Sequence, residues 1–144
     1  MKPQIPFADW DKCDIRVGKI LKVEDHPKAD KLYILHVDFN KEIGKRTIVA
    51  GLKKAYTKQE LENKLGIFII NLESVTLRGV ESEGMTLAAV SDDESVIAIL
   101  EPNKKIEPGS KIRWLVISDA CSKFGNKFSV SIKDFIINHT KNAL

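Results

Sequence analysis

The sequence predicts an all-β fold: a small, strongly curved five-stranded barrel with one short helix between strands three and four, and a C-terminal β/α extension. Three observations lead there. Short runs of β-forming residues recur along most of the chain, punctuated by turn residues. Gly18 interrupts the first run, where a glycine marks a bend or bulge. A single capped helical segment falls between the third run and the fourth.

The elements follow in order. Phe7 and Trp10 lie three residues apart on a short turn or helix that would cap an open end of the barrel. In the first strand, Ile15, Val17, Leu21 and Val23 alternate with Arg16 and Lys22. Ile20 and Leu21 are both apolar, so the phase slips after Gly18, as in a strand that serves two sheet faces. Pro27 stiffens the polar corner from Asp25 to Lys31. Strand two, Lys31 to Asp38, is dense in apolar β-formers and is expected at the centre, covered on both sides. Gly44 ends a hairpin loop into strand three, Arg46 to Ala50. Thr57 and Glu60 form a capping box, with Leu61 and Leu65 on one helix face and Gly66 as the stop. Strand four runs from Ile67 to Leu72. A charged loop, Glu73 to Gly84, leads to strand five at Met85 to Val90, and Val96 to Leu100 adds a further strand. This order is that of the five-stranded Greek-key barrel known as the OB-fold, and the pattern alone suits other small barrels as well.

Residues 1–112 are read as that barrel with its N-terminal cap, and 113–144 as the extension. In the extension, Ile112, Trp114 and Val116 and then Phe128, Val130 and Ile132 alternate as two strands. Ser131 and Asp134 are placed to cap a final helix carrying Phe135 and Ile136.

Composition narrows the function. Of the 144 residues 43% are apolar and 30% charged, with a formal net charge of +3. From His26 to Glu60 there are eight Lys or Arg against four acids; from Leu61 to Leu100, two against seven; from Glu101 onward, eight against four. Such segregation suits an anionic partner on one face, although a lysine-rich solvated surface would also produce it. Cys13 and Cys121 are isolated and the three histidines scattered, so neither a disulfide framework nor a metal site is readable. No paired carboxylates, activated nucleophile or phosphate-cradling loop appears, and no cofactor is expected. No apolar run approaches the length of a signal peptide core or membrane span, so a cytoplasmic location is expected.

Five stretches then carry a resemblance. Asp14 to Ile20 (DIRVGKI), His26 to Tyr33 (HPKADKLY), Val49 to Leu52 (VAGL), Asn71-Leu72 and Arg78 to Met85 (RGVESEGM) resemble, in order and spacing, the tRNA-binding domain of methionyl-tRNA synthetase C-termini and of endothelial monocyte-activating polypeptide II. The resemblance covers roughly residues 7–112. It implies an OB-fold and non-catalytic, shape-directed tRNA binding that assists an aminoacyl-tRNA synthetase. It also implies a homodimer, or a pseudo-dimer completed by the C-terminal tail. The alternative is a protein-interaction module of the same fold, resembling a secretion chaperone or a cytokine-like fragment.

On such a barrel the expected tRNA-binding residues are Arg16 and Lys19 on strand one, His26, Lys28 and Lys31 at the corner, and Arg78, Ser82 and Met85 around the loop before strand five. The cations suit phosphates, Ser82 a phosphate or 2′-hydroxyl, and Met85 a base or ribose. Met85 equally suits the core, and His26 equally suits capping its turn. Lys53 and Lys54 read as solvated charge. Only Tyr33 and Tyr56 are available as stacking platforms for single-stranded bases.

Overall fold

The computed structural model describes residues 1–113. Within them, β1 (Ile15–Asp25) is the longest strand, and everything else is arranged along it. It follows α1 (Phe7–Trp10), in which Phe7 is half-buried and Trp10 exposed. Then come β2 (Tyr33–Asp38), β3 (Lys45–Ala50), α2 (Lys58–Leu61) and β4 (Leu65–Ile69). The short strands β5 (Val75–Leu77), β6 (Val80–Ser82), β7 (Met85–Thr86), β8 (Ala88–Val90) and β9 (Ile97–Ile99) complete the described part.

The main sheet has the order β3-β2-β1-β4-β7, with every pairing antiparallel. The two halves of β1 have different neighbours. Its first half pairs with β4 from Ile15↔Ile69 to Lys19↔Leu65, and its second half pairs with β2 from Lys19↔Asp38 to Asp25↔Tyr33. On its other side the first half exchanges backbone bonds with residues 109–112: Gly109 N–H donates to Val17, Val17 N–H to Ser110, and Ile112 N–H to Ile15. The expected strand serving two faces is therefore present.

A bulge at Leu21, seen as a register shift between Ile20 and Lys22, reverses which face looks inward. Ahead of it Ile15 and Val17 face a satellite cluster with Ile67, while Ile20 faces the main core; beyond it Val23 faces that same core. Leu21, expected to point inward, is the bulged residue and is only half-buried, and Ile20 takes its place.

Gly18 makes the crossing possible. A Cβ there would lie 2.5 Å from Val37 Cγ1, 2.6 Å from Phe39 Cε1 and 2.9 Å from Phe68 Cδ2. Phe39 and Phe68 meet edge to face with ring centroids 5.4 Å apart, and both are fully buried. The core is thus built against bare backbone, and any side chain at position 18 would displace its two largest rings.

The far edges approach one another to give a nearly closed, five-stranded OB-like barrel. The Glu83 N–H donates to the Thr47 carbonyl, the Thr47 N–H to the Glu83 carboxylate, and the Val49 N–H to the Ser82 hydroxyl. The helix between the third and fourth strands is present with both halves of its Thr57–Glu60 capping box. It is shorter than expected. Asn63, at φ 68°, takes the left-handed position, so Leu65 and Gly66 belong to β4 instead.

Other local expectations also shift. The central strand β2 alternates buried and half-buried, one face only being fully covered. The presumed loop from Glu73 to Gly84 contains the β5–β6 hairpin. The presumed strand at Met85–Val90 breaks at Leu87, whose N–H turns to the Ile67 carbonyl while its own carbonyl accepts from Leu100. Met1–Ile112 forms one compact unit, and the strands and helix expected in 114–144 lie outside the described residues.

Replacing Gly18 with Ala should destabilise the chain by about 2 kcal/mol through overpacking. Gly51→Ala, where the nearest atom is a Leu32 methyl 3.9 Å away, should stay within about 0.5 kcal/mol of wild type. Urea unfolding of both variants measures the difference.

Candidate nucleic-acid interface

Beyond Asp25 the chain leaves β1 and must turn into β2 within a few residues. The His26 N–H donates to the Leu32 carbonyl and the Leu32 N–H to Ala29, closing the corner on itself. The His26 side chain tightens it further, its Nδ1 accepting from the Lys28 N–H at 3.1 Å. Lys28 and Lys31 are left exposed on its outside.

The β5–β6 hairpin comes to this corner. Its two-residue loop, Arg78-Gly79, has φ of 48° and 90°, positive at both positions as in a type I′ turn. Glycine at the second position is favoured by that backbone, and Lys28 lies within contact distance of it. The Lys28 ammonium lies 4.0 Å from where a Cβ on Gly79 would stand. His26 Nε2 reaches the Leu77 carbonyl at 2.9 Å. The corner and the hairpin tip therefore bring Lys28 and Arg78 to one place, with Lys31 on the same corner.

The other expected residues divide. Arg16 is turned inward: its guanidinium binds the Asp14 carboxylate at 2.5 Å and donates to the Gly109 carbonyl at 3.0 Å, tying β1 to the returning chain. Lys19 is half-buried on the same half of β1; by strand rise Lys19 stands roughly 20 Å and Arg16 roughly 30 Å along the strand from the corner. Ser82 is 6% exposed; its hydroxyl accepts from Val49 and donates to the Gly84 carbonyl at 3.0 Å. In this arrangement its one proton is already placed, and the residue closes the barrel. Met85 is 52% exposed beside Ile69 at the sheet edge, so it does not belong to the core. His26 is buried, and both its ring nitrogens are engaged by backbone groups of the chain.

Neighbouring cations are neutralised. Lys53 and Lys58 both grip the Asp25 carboxylate. Hydrogen bonds from Lys53 first, then Lys58, hold that carboxyl below the usual aspartate range, and the same bond raises the Lys53 ammonium. Lys22 pairs with Glu24, and Lys64 with Glu101. Lys28, Lys31 and Arg78 are exposed with no ion-pair partner among the described residues, as are Lys41, Lys45 and Lys54; what sets the three apart is that the corner and the hairpin tip gather them.

Among the described residues, flat side chains are missing from the same surface. Tyr33 is buried, its hydroxyl donating to the Tyr56 carbonyl; Tyr56 packs on the core, its hydroxyl accepting from the Ile99 N–H. Among the described residues Trp10 is the exposed aromatic, and it lies on α1. Sequence reasoning missed the hairpin and the exposed Val75 and Leu77 that lead into Arg78. The only signal was a glycine in second place between two very short β-forming triplets. No group of metal-ligating side chains occurs among the described residues, and no helix among them is long and apolar enough to cross a membrane.

Comparison with known proteins gives the relatives of the chain as a whole. A family model described as a putative tRNA binding domain matches residues 15–111. Over 109 residues the chain is 55% identical to the methionine–tRNA ligase of Pyrococcus horikoshii, covering 76% of this chain and 14% of the ligase. It is 47% identical over 111 residues to that of Methanosarcina acetivorans, covering 77% of this chain and 15% of the ligase. The chain thus spans about a seventh of the curated relatives it matches. Among solved structures, a MetRS-related protein from Pyrococcus horikoshii superposes with a TM-score of 0.72 at 29% identity, covering 78% of this chain and all of that one. The CsaA chaperone protein of Picrophilus torridus superposes at 0.70 with 35% identity, covering 76% and 100%.

Replacing Ser82 with Ala should strand the Val49 N–H and the Gly84 carbonyl and cost about 1–3 kcal/mol of stability. Thermal unfolding measures that cost. Ser82→Thr, which keeps the hydroxyl, should recover part of it.

Proposed function

From the premise that this chain belongs to the tRNA-binding domain family, whose model spans residues 15–111, we propose that it binds folded tRNA through the corner at residues 26–31 and the hairpin tip at Arg78-Gly79. One observation carries the reading: the corner and the hairpin tip bring together three exposed cations, Lys28, Lys31 and Arg78, with no ion-pair partner among the described residues, whereas Lys53 and Lys58 are held by the Asp25 carboxylate. Three cations without a stacking aromatic suit phosphates presented by a shaped RNA backbone, and suit the splayed bases of a single strand poorly. Binding of this kind is sequence-tolerant. Because the curated relatives are methionine–tRNA ligases, the site would assist a methionyl-type synthetase, as one of its domains, a subunit or a separate factor. A dimer would present two such sites to one tRNA, and a pseudo-dimer using residues 113–144 would present one.

The likeness to the CsaA chaperone protein, together with exposed Leu72, Val75, Leu77 and Met85, favours one second reading, the binding of unfolded polypeptide. Salt separates the two. Phosphate contacts release counterions, so log affinity for tRNA should fall with log salt by roughly 0.7–0.9 per phosphate, whereas apolar contacts persist.

Lys31→Glu and Arg78→Glu should each weaken tRNA binding about tenfold and make the salt slope shallower by about one unit. Lys41→Glu, in the loop beyond the other end of β2, should bind like wild type. Filter binding with unfractionated tRNA over a salt series measures all three. Equal losses at Lys41 would show diffuse attraction, and full binding by both site variants would remove the site from this surface.

A further inference from the structure

A single imidazole joins the corner to the hairpin. His26 is 5% exposed, and both its ring nitrogens have partners inside the protein. A carbonyl only accepts and an amide N–H only donates. The bond to the Leu77 carbonyl therefore requires the proton on Nε2, and the bond from the Lys28 N–H requires a bare Nδ1. With one tautomer fixed and no free edge, this ring has nothing to offer an RNA phosphate.

What it does is set position. β5 and β6 have three residues each, and every residue of β5 is exposed. A two-stranded ribbon that small is marginal alone and needs anchoring. Ser82 anchors the end of β6 to β3. At the other end of the hairpin the anchor is His26 Nε2 on Leu77, the residue immediately before Arg78. The same ring holds the Lys28 backbone through Nδ1.

We propose that His26 is a positioning residue for anion binding: it clamps Arg78 beside Lys28, so that both cations meet the same stretch of RNA backbone. The inference rests on the tRNA-binding reading above and assigns His26 a role distinct from contact. The charged groups on the elements that meet the ring are Lys28, Asp30 and Lys31 on its own corner, Arg78 and Glu81 on the hairpin, and the adjoining Asp25, whose carboxylate is already held by Lys53 and Lys58.

The side-chain geometry supplies the test. His26→Asn keeps an acceptor where Nδ1 stood, forming an Asx turn to the Lys28 N–H, but is too short to reach Leu77. His26→Gln extends an amide N–H toward Leu77 and gives up the Nδ1 bond. In tRNA binding by the full chain, H26N and Arg78→Ala should each lose about tenfold in affinity and about one unit of salt slope. Combined, the two should lose no more than Arg78→Ala alone, because both remove one contact. H26Q should recover most of the affinity. Additive losses would make His26 an independent RNA contact, and undiminished binding by H26N would make the clamp irrelevant; either overturns the proposal. If H26N fails to fold by circular dichroism, nitrogen NMR of the wild-type imidazole decides. A protonated Nε2 and bare Nδ1, unmoved by saturating tRNA, support the clamp, and a change on tRNA addition overturns it. A wild-type chain that does not bind tRNA refutes the proposed function itself, whereas additive losses in a chain that does bind refute the clamp alone.

Discussion

The whole barrel depends on β1 passing from one set of neighbours to another while the core stays closed around it. A strand paired with β4 and the 109–112 segment at one end and with β2 at the other must bend sharply, and the inside of such a bend has no room for a side chain. Gly18 meets that need, with Val37, Phe39 and Phe68 pressed against its backbone. Alternation along the strand turns Ile15 and Val17 to one cluster and Ile20 to the other, and the bulge at Leu21 then switches the inward face so that Val23 joins Ile20. Because β1 ends at Asp25 in a fixed direction, the corner carrying Lys28 and Lys31 is fixed with it.

The functional surface is assembled from parts whose own stability is small. The corner is a handful of residues and the hairpin two triplets, yet the barrel holds both by hydrogen bonds from buried polar groups. Ser82 and His26 are the two buried polar side chains among the described core positions, and each joins the hairpin to something rigid. Buried hydrogen bonds of this kind are costly to break, because the partner left behind loses water as well as its bond. The cations stay free for an external anion, in contrast to Arg16, Lys53 and Lys58, which are used internally.

Much of the fold was legible in the residues, since strands announce themselves by alternation and the Thr57–Glu60 box by spacing. The five-stranded barrel, the helix after strand three and the two-faced first strand all follow from such local signals. The β5–β6 hairpin did not, because Val-Thr-Leu and Val-Glu-Ser are short, exposed and charge-flanked, with no buried face to impose a period. Roles set by distant partners were likewise invisible. Arg16 looked like a surface cation until Gly109 came beside it, and Ser82 looked free until Val49 did. Of the expected contact residues, Lys28, Lys31 and Arg78 keep the properties foreseen, whereas His26 and Ser82 prove to be held by the protein itself.

Amide hydrogen exchange, with and without tRNA, tests the central claim most directly, because it reads the surface without altering any residue. If the corner and the hairpin tip form the site, amides at residues 26–31 and 77–80 slow on tRNA addition, and those of the 40–44 loop at the far end of β2 do not. Protection confined to the 40–44 loop, or spread evenly over the barrel with none added at Lys28 to Lys31 and Arg78-Gly79, would contradict the account.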